Sequence, residues 1–297
     1  MKGPAVHESL SCAAPPQCRA MTTAQRHQSE NFPVASRLCP PRWRAPILAI
    51  YRFARTADDI ADEGDASQSE RQAQLAAMRQ QLLALPETID PSHTWSPALA
   101  QAMNEHSLPK PLLLALLEAF EQDTHQTHYA DRNELLRYCE RSANPVGRLL
   151  LHLRGLDDPD SLRQSDAICT ALQLINHWQD LSADVRKPRL YLPLSDLARH
   201  GVAPEAVLRG EASPALASCI HELNDWALGL MDSGRPLASR MGGRMGFELR
   251  LVIEGGTRVA EKIRGMRHNT LLERPRLRPW DAPLLLARAL FFREGPR

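Results

Sequence analysis

The sequence predicts an all-α protein built as one helical bundle. Apolar residues recur at spacings of three and four, as they do on the buried face of a helix. Leu, Ala and Arg, which favour helices, dominate the composition, and aromatic residues make up only 5% of it. No segment shows a convincing strand pattern, in which apolar and polar residues alternate. These three observations together predict helices joined by loops.

Composition also excludes several classes of protein. The formal net charge of +1 offers no strongly basic surface, so no nucleic-acid partner is expected. The six cysteines form no CxxC pair, which argues against a zinc site or a disulfide framework. No apolar run approaches the ~20 residues that span a bilayer. We therefore expect a cytoplasmic protein that at most contacts a membrane peripherally.

The elements can be placed in chain order. Residues 1–26 are rich in Pro, Ser, Ala and Gln and are expected to be a disordered tail. Met21 within this tail is an alternative translation start. One domain is expected to cover residues 27–297. Periodicity and Pro or Gly punctuation predict helices at about 43–63, 68–85, 96–107, 109–128, 131–153, 160–187, 213–232, 245–267 and 281–293. Pro145 and Gly147 interrupt the fifth, either as a bend that lines a pocket or as a break between two shorter helices.

The first helix carries an unusual charged segment, YRFARTADDIAD, at residues 51–62. A helical period brings the carboxylates of Asp58, Asp59 and Asp62 together near the end of this helix. Arg52 and Arg55 lie one to two turns earlier. Taken alone, the segment is either a solvated helix end or one wall of a site for metal ions and a diphosphate.

The fourth predicted helix ends in EQDTHQTH, which contains Glu121, His125 and His128. These residues are either a metal cluster or an ordinary polar helix end. The Glu-x-x-His pairs of di-iron bundles are absent from the segment, which favours the polar end.

The helix predicted at about 160–187 carries a second acidic stripe. Gln173, Asn176, Asp180 and Asp184 share one face, while apolar residues occupy most of the remaining circumference. Carboxylates and amides on a buried helix need partners, which magnesium and substrate phosphates would supply. The basic segment VRKPRLYLP follows at once and is suited to an anionic group.

The simplest interpretation is that the two acidic helices face each other across the bundle. Magnesium takes oxygen ligands and is typically held by one or two carboxylates together with phosphate oxygens. Two acidic walls with a basic rim therefore fit a diphosphate leaving group that is drawn off by metal ions. An apolar lining would hold a hydrocarbon and keep water away from a carbocation.

The segments YRFARTADDIAD, YCERSANPVG and QLINHWQDLSADVRKPRLYLP, in this order, resemble the trans head-to-head prenyl synthases, the squalene and phytoene synthase family. The resemblance covers about residues 27–268. ENFPVASR and RSANPVGR look most like the bacterial hydroxysqualene synthase branch of hopanoid biosynthesis, whose members are often called squalene synthases. The resemblance implies an isoprenoid-synthase bundle around a central active-site cavity.

The resemblance also implies roles for individual residues. The positions that match the two magnesium motifs are Asp58, Asp59 and Asp62 in the first and Asn176, Asp180 and Asp184 in the second. The candidate substrate-binding positions are Phe32, Tyr51, Arg55, Ala143, Val146, Gly147, Gln173, Arg189 and Tyr191. Tyr138 matches a tyrosine that steers the cationic intermediates, and the candidate catalytic set is Tyr138, Asp58, Asp62, Asp180 and Asp184. Pro145 and Arg148 depart from the phytoene synthase pattern, which argues against that substrate.

The implied reaction uses two or three magnesium ions. Presqualene diphosphate loses diphosphate, the cyclopropylcarbinyl cation rearranges, and water captures it as hydroxysqualene. NADPH is not expected, because reductive squalene synthases carry a C-terminal membrane anchor and this chain ends without one. A presqualene diphosphate synthase is the expected partner that hands over the substrate.

Three alternatives stay open. The first is that the chain condenses two farnesyl diphosphates to presqualene diphosphate or squalene. The second is that it is a non-catalytic relative that acts as an assembly factor. The third is that it is an unrelated helical scaffold with solvated acidic faces. Erosion of the aspartates is expected in a non-catalytic relative, and both motifs are intact here.

Overall fold

Helices account for the fold, which confirms the all-α prediction. The computed structural model describes residues 39–187, 189–266 and 269–295. Its α-helices are α1 Pro41–Asp62, α2 Gln68–Ala84, α3 Ser96–His106, α4 Lys110–Asp123, α5 Arg132–Ser142, α6 Asn144–Arg154, α7 Pro159–Asp184, α8 Leu194–Arg199, α9 Pro204–Leu208, α10 Pro214–Gly234, α11 Leu237–Met241, α12 Gly243–Gly265 and α13 Ala282–Leu290. Two short 3₁₀ helices, Asn269–Leu271 and Pro279–Asp281, lie between α12 and α13. Over these ranges there is no strand, and the β-bridge between His128 and Leu190 is isolated.

The first four helices enclose one apolar cluster. Phe53 of α1 is fully buried, and its ring meets that of Trp95 edge-on at 5.3 Å between centroids. Ser67 and Glu70 form a capping box at the start of α2, which satisfies free backbone donors of its first turn. This packing fixes α1, and with it the acidic segment at its C-terminal end.

The long helix α7 is the centre of the second apolar cluster. Asp158 caps its first turn by accepting a hydrogen bond from the Ser161 amide at 3.0 Å. Leu174, Ile175 and Trp178 are almost completely buried, and α7 packs most extensively against α10 and α6. A helix that is apolar on most of its circumference must lie inside the protein, so its polar stripe is confined to one side.

The predicted interruption near Pro145 is a break between two helices. Ala143, with φ −123° and ψ −48°, separates α5 from α6, and Pro145 lies in the first turn of α6, where its missing N–H costs nothing. Gly147 then passes so close to α7 that a Cβ on it would overlap Ser165 Oγ and Cys169 Sγ. Its lack of a side chain therefore allows the two helices to approach.

The end of α4 differs from the prediction. The helix ends at Asp123 and not near 128, because Thr124 Oγ1 donates to the Glu121 carbonyl at 2.7 Å and the following residues turn away. The next segment pairs with the segment after α7, where the Leu190 amide donates to the Thr127 carbonyl at 2.8 Å. These hydrogen bonds bring the C-terminal ends of α4 and α7 together.

The last part of the chain returns to the second cluster. The short helices α8, α9 and α11 are not predicted by the sequence, since each spans too few residues to show a period. In the part of the chain described here, no helix is both long and apolar enough to cross a membrane. The described residues belong to one compact unit, Asn31–Arg297. Phe32, Met21 and the predicted tail 1–26 lie outside the described residues, so the predictions on them stay predictions.

Candidate active site

The two acidic helices meet at their C-terminal ends. Asp62, at the end of α1, accepts from Lys187 Nζ at 2.6 Å and from Arg189 Nη1 at 2.5 Å. Both cations belong to the basic segment that follows α7. Burial opposes ionisation of Asp62, but the hydrogen bond from Lys187 and the charge of Arg189 outweigh it and hold the Asp62 pKa below its usual value. The basic segment thus joins two helices that are about 120 residues apart in sequence.

Arg55 binds the other two aspartates of α1. Its Nη1 lies 2.7 Å from Asp58 Oδ2 and its Nη2 lies 2.8 Å from Asp59 Oδ1. Burial, against the charge of Arg55 and together with the charges of Asp62 and Asp59, raises the pKa of Asp58 to about 6. Asp58 is therefore a carboxylate that an additional cation would stabilise.

The acidic pair of α7 receives a cation from a distant segment. Arg274 pairs with Asp180, and its Nη2 lies 3.2 Å from Asp180 Oδ2. The neighbouring carboxyl of Asp184 carries a pKa raised to about 7, by burial first and then by the charge of Asp180. Gln179 Nε2 donates to the Pro275 carbonyl at 2.5 Å and fixes the segment that bears Arg274. Sequence reasoning missed Arg274, because no spacing links it to α7.

Asp123, at the end of α4, is a second residue that sequence reasoning missed. Tyr138 Oη donates to Asp123 Oδ2 at 3.0 Å, and Tyr191 Oη lies 3.5 Å from Asp123 Oδ1. Arg189 Nη2 donates to the backbone carbonyl of Asp123 at 2.9 Å. Burial raises the pKa of Asp123 to about 7, although the charge of Arg189 and the Tyr138 hydrogen bond lower it. Asp123 is partly exposed, and a carboxyl whose pKa is raised in this way is a candidate for proton exchange.

Aromatic rings pack beside this carboxyl. The His177 ring stacks on Tyr191 at 3.7 Å between centroids, and Tyr138 lies 5.8 Å from Tyr191 and 6.0 Å from His177. Burial lowers the pKa of His177 to about 3, so its imidazole is neutral in this cluster. Gln173 Nε2 lies 3.3 Å from His177 Nε2. Aromatic faces stabilise a neighbouring cation without supplying a nucleophile.

An apolar cavity of about 370 Å³ lies along the first half of α7. Val146 and Gly147 of α6 line it, as do Ile168, Cys169 and Leu172 of α7, together with residues of α1, α11 and α12. Leu172 precedes Asp180 by eight residues, which corresponds to about 12 Å along a helix. One helix therefore carries both the apolar lining and the carboxylates.

The remaining candidates occupy other places. Asn176 is exposed, although it shares the stripe with Asp180. Tyr51 is partly buried on α1. Ala143 is buried at the break between α5 and α6, and it is absent from the cavity lining.

The metal alternative at the end of α4 does not form. Glu121 pairs with Arg79, with Nη2 to Oε2 at 2.9 Å, and His125 Nδ1 bonds the Glu121 backbone carbonyl at 3.0 Å. Across the three described ranges, no three His, Cys, Asp or Glu side chains converge on one ion site. Asp58, Asp59 and Asp62 of α1 and Asp180 of α7 pair with Arg or Lys side chains.

The donor set nevertheless fits magnesium with a diphosphate. Its acidic members are carboxylates, which are the hard oxygen ligands that magnesium prefers. Burial raises the pKa of Asp58, Asp123 and Asp184 even with Arg and Lys nearby. Additional cations would offset this cost, and a diphosphate would accept hydrogen bonds from the basic side chains. The residues present therefore suit a metal-diphosphate group.

The chain is similar to known proteins over most of its length. Residues 25–281 match the family model for squalene/phytoene synthase. The chain is 36% identical to hydroxysqualene synthase of Rhodopseudomonas palustris over 261 residues, with 87% of each protein covered. It is 33% identical to hydroxysqualene synthase of Sinorhizobium fredii over 257 residues, with 86% of each covered. Its structure is similar to that of squalene synthase from Alicyclobacillus acidocaldarius, with a TM-score of 0.74 and 33% identity over 82% of this chain and 92% of the other.

Proposed function

Because the chain belongs to the squalene/phytoene synthase family of head-to-head prenyl synthases, we propose that it converts presqualene diphosphate to hydroxysqualene with loss of diphosphate. The observation that carries this proposal is the placement of an apolar cavity and a carboxylate cluster on the same helix, α7. The substrate has the same division, since a long hydrocarbon is joined to a compact anion. The names of the relatives favour hydroxysqualene as the product.

The diphosphate would bind between the ends of α1 and α7. Asp58 and Asp62 on one side and Asp180 and Asp184 on the other would hold the metal ions. Bound magnesium would supply positive charge that stabilises the departing diphosphate. In this structure Asp58 pairs with Arg55, Asp62 with Lys187 and Arg189, and Asp180 with Arg274. On binding these basic side chains would turn to the phosphate oxygens, because a phosphate competes well for guanidinium donors.

The hydrocarbon would occupy the cavity along α7. Loss of diphosphate leaves a cyclopropylcarbinyl cation, which water would capture too early in an open site. The apolar lining excludes water while the carbon skeleton rearranges. Tyr138, Tyr191 and His177 pack together near the carboxylate end, and their aromatic rings would help to stabilise the cation there.

Hydroxysqualene forms when one water adds to the rearranged cation and loses a proton. Asp123 is the group that we infer accepts this proton. It lies within hydrogen-bond distance of Tyr138, and its pKa of about 7 suits exchange with a water-derived proton. No reductant takes part in these reaction steps, so the proposed reaction does not require NADPH. A separate presqualene diphosphate synthase would supply the substrate.

Two alternatives make different predictions. If the chain condenses two farnesyl diphosphates, it consumes farnesyl diphosphate and releases presqualene diphosphate or squalene. If it is a non-catalytic relative with a role in assembly, it turns over neither substrate. Both aspartate motifs are intact and lie against basic side chains, which favours an enzyme.

The test is an incubation of purified protein with presqualene diphosphate or farnesyl diphosphate, with and without magnesium and NADPH. We expect a thirty-carbon alcohol from presqualene diphosphate when magnesium is present, whether or not NADPH is added. Asp180→Asn should abolish this product, while the exposed Asp157→Asn should keep it. Turnover of farnesyl but not presqualene diphosphate would overturn the proposed substrate, and the absence of any turnover would favour the non-catalytic alternative.

A further inference from the structure

Helix α13 presents large apolar side chains to solvent. Leu286 and Leu290 at its outer face are 50% and 62% exposed, Phe291 directly after the helix is 81% exposed, and Leu284 is also exposed. The helix APLLLARAL contains no acidic residue. Scattered apolar residues are ordinary on a surface, but a cluster of this kind marks a contact with another apolar phase.

The inner face of α13 packs against the rest of the protein, so the orientation of the helix is fixed and its outer apolar residues face solvent. Ala289 is fully buried against the rest of the protein. Arg288 Nη1 lies 2.7 Å from Glu261 Oε1 of α12. The Phe292 ring lies under the Arg235 guanidinium at 4.7 Å. These contacts fix which side of the helix faces outward.

The segment just before α13 extends the apolar face and adds positive charge. Trp280 and Leu272 are 70% and 68% exposed. Arg276 and Arg278 are exposed beside them, and the Arg278 guanidinium lies 5.6 Å from the centre of the Trp280 ring. Arg293 is exposed after the helix, and the exposed acidic residues of the same region are Glu273 and Glu294. Tryptophan and arginine beside an apolar helix face are typical of a protein that lies in a membrane interface.

The chain links this surface directly to the candidate active site. Arg274, which pairs with Asp180, lies between Leu272 and Arg276 in the chain. The Pro275 carbonyl accepts the hydrogen bond from Gln179 of α7. A single extended segment therefore runs from the carboxylate cluster to the apolar face.

We propose that the outer face of α13, with Trp280 and Leu272, docks on the surface of an anionic bilayer. Lipid phosphates would pair with Arg276, Arg278 and Arg293, while the apolar side chains enter the headgroup boundary. A second copy of the chain is a poorer occupant, because a symmetric contact would bring the same arginines together. The purpose of the contact rests on the proposed function, whose substrate and product are both lipids, but the contact itself does not depend on turnover.

The test measures binding of the full chain to vesicles in the absence of substrate. Sedimentation with phosphatidylcholine vesicles that contain phosphatidylglycerol should retain the protein, and pure phosphatidylcholine vesicles should retain much less. Leu286→Gln with Leu290→Gln should reduce the partition coefficient roughly tenfold or more. The matched control is Leu83→Gln with Ile89→Gln, two exposed apolar residues on other elements, and it should bind as the parent does.

Charge is tested separately. Arg276→Gln with Arg278→Gln should weaken binding to the anionic vesicles by roughly tenfold to thirtyfold. The control pair, the exposed Arg163→Gln and Arg209→Gln, should leave binding unchanged. Circular dichroism checks that each variant is folded.

Three results would overturn the proposal. The first is absence of binding to anionic vesicles by the folded parent protein. The second is an equal loss of binding in the test and control pairs. The third is a parent dimer in analytical ultracentrifugation that the Leu286 and Leu290 substitutions convert to monomers, which would assign the face to a second copy. Since no substrate is present, each of these results would leave the proposed function untouched.

Discussion

The partly buried carboxyl of Asp123 should make the folded protein less stable as pH rises. Burial raises its pKa from 3.8 to about 7, so the folded state binds its proton more tightly than the unfolded chain does. Stability is therefore lost between these two values as the group ionises, with a cost of roughly 4 kcal/mol once pH exceeds the folded pKa. Asp123→Asn cannot ionise and keeps an oxygen that accepts from Tyr138. It should thus be more stable than the parent protein by roughly 2 kcal/mol near pH 5 and roughly 4 kcal/mol near pH 8.

Urea unfolding of both proteins at the two pH values measures this difference. The exposed Asp157→Asn is the control and should change the free energy of unfolding little at either pH. We also expect Asp123→Asn to lose turnover, because the substituted amide cannot accept a proton. The raised pKa of Asp123 would be refuted if the variant were less stable than the parent near pH 8. It would also be refuted if the gain in free energy of unfolding were the same at both pH values.

Further predictions address the charged site and the helix contacts. Asp62→Asn should abolish diphosphate release and leave the circular dichroism intact, whereas the exposed Asp65→Asn should stay active; full activity in the first variant would contradict its metal role. Gly147→Ala should lower the free energy of unfolding by about 1–3 kcal/mol, because its Cβ overlaps α7. Gly229→Ala, at an open helical position, should raise the free energy of unfolding by about 0.5–1 kcal/mol. If urea unfolding showed Gly147→Ala to be the more stable of the two variants, this packing would be contradicted. Arg274→Gln should raise the KM for presqualene diphosphate, and an unchanged KM would show that the side chain does not bind substrate.

The long helices could be predicted because their signals are local. The helix predicted at 68–85 is observed at Gln68–Ala84, since Ser67 and Glu70 supply the cap within one turn. The end of α4 could not be predicted in the same way. The residues up to His128 are compatible with a helix, but Thr127 instead accepts a hydrogen bond from the Leu190 amide, in a non-helical conformation. That partner lies more than sixty residues away in sequence.

The candidate site was predictable where its residues share one helix. Asp58, Asp59 and Asp62 follow from the helical period of α1. Asp123 did not emerge, because the tyrosines that bury its carboxyl come from α5 and from the segment after α7. Arg274 is one arginine of a basic segment, and its pairing with a carboxylate of α7 appears only in three dimensions.

In the proposed reaction, water captures a carbocation after diphosphate leaves. Incubation of presqualene diphosphate and magnesium in water labelled with heavy oxygen tests it most directly, with mass spectrometry of the product. We expect hydroxysqualene that carries one labelled oxygen. An unlabelled alcohol would mean that the phosphate ester was cleaved at phosphorus, and a hydrocarbon product would mean that the cation was reduced. Either result would rule out capture of the cation by water.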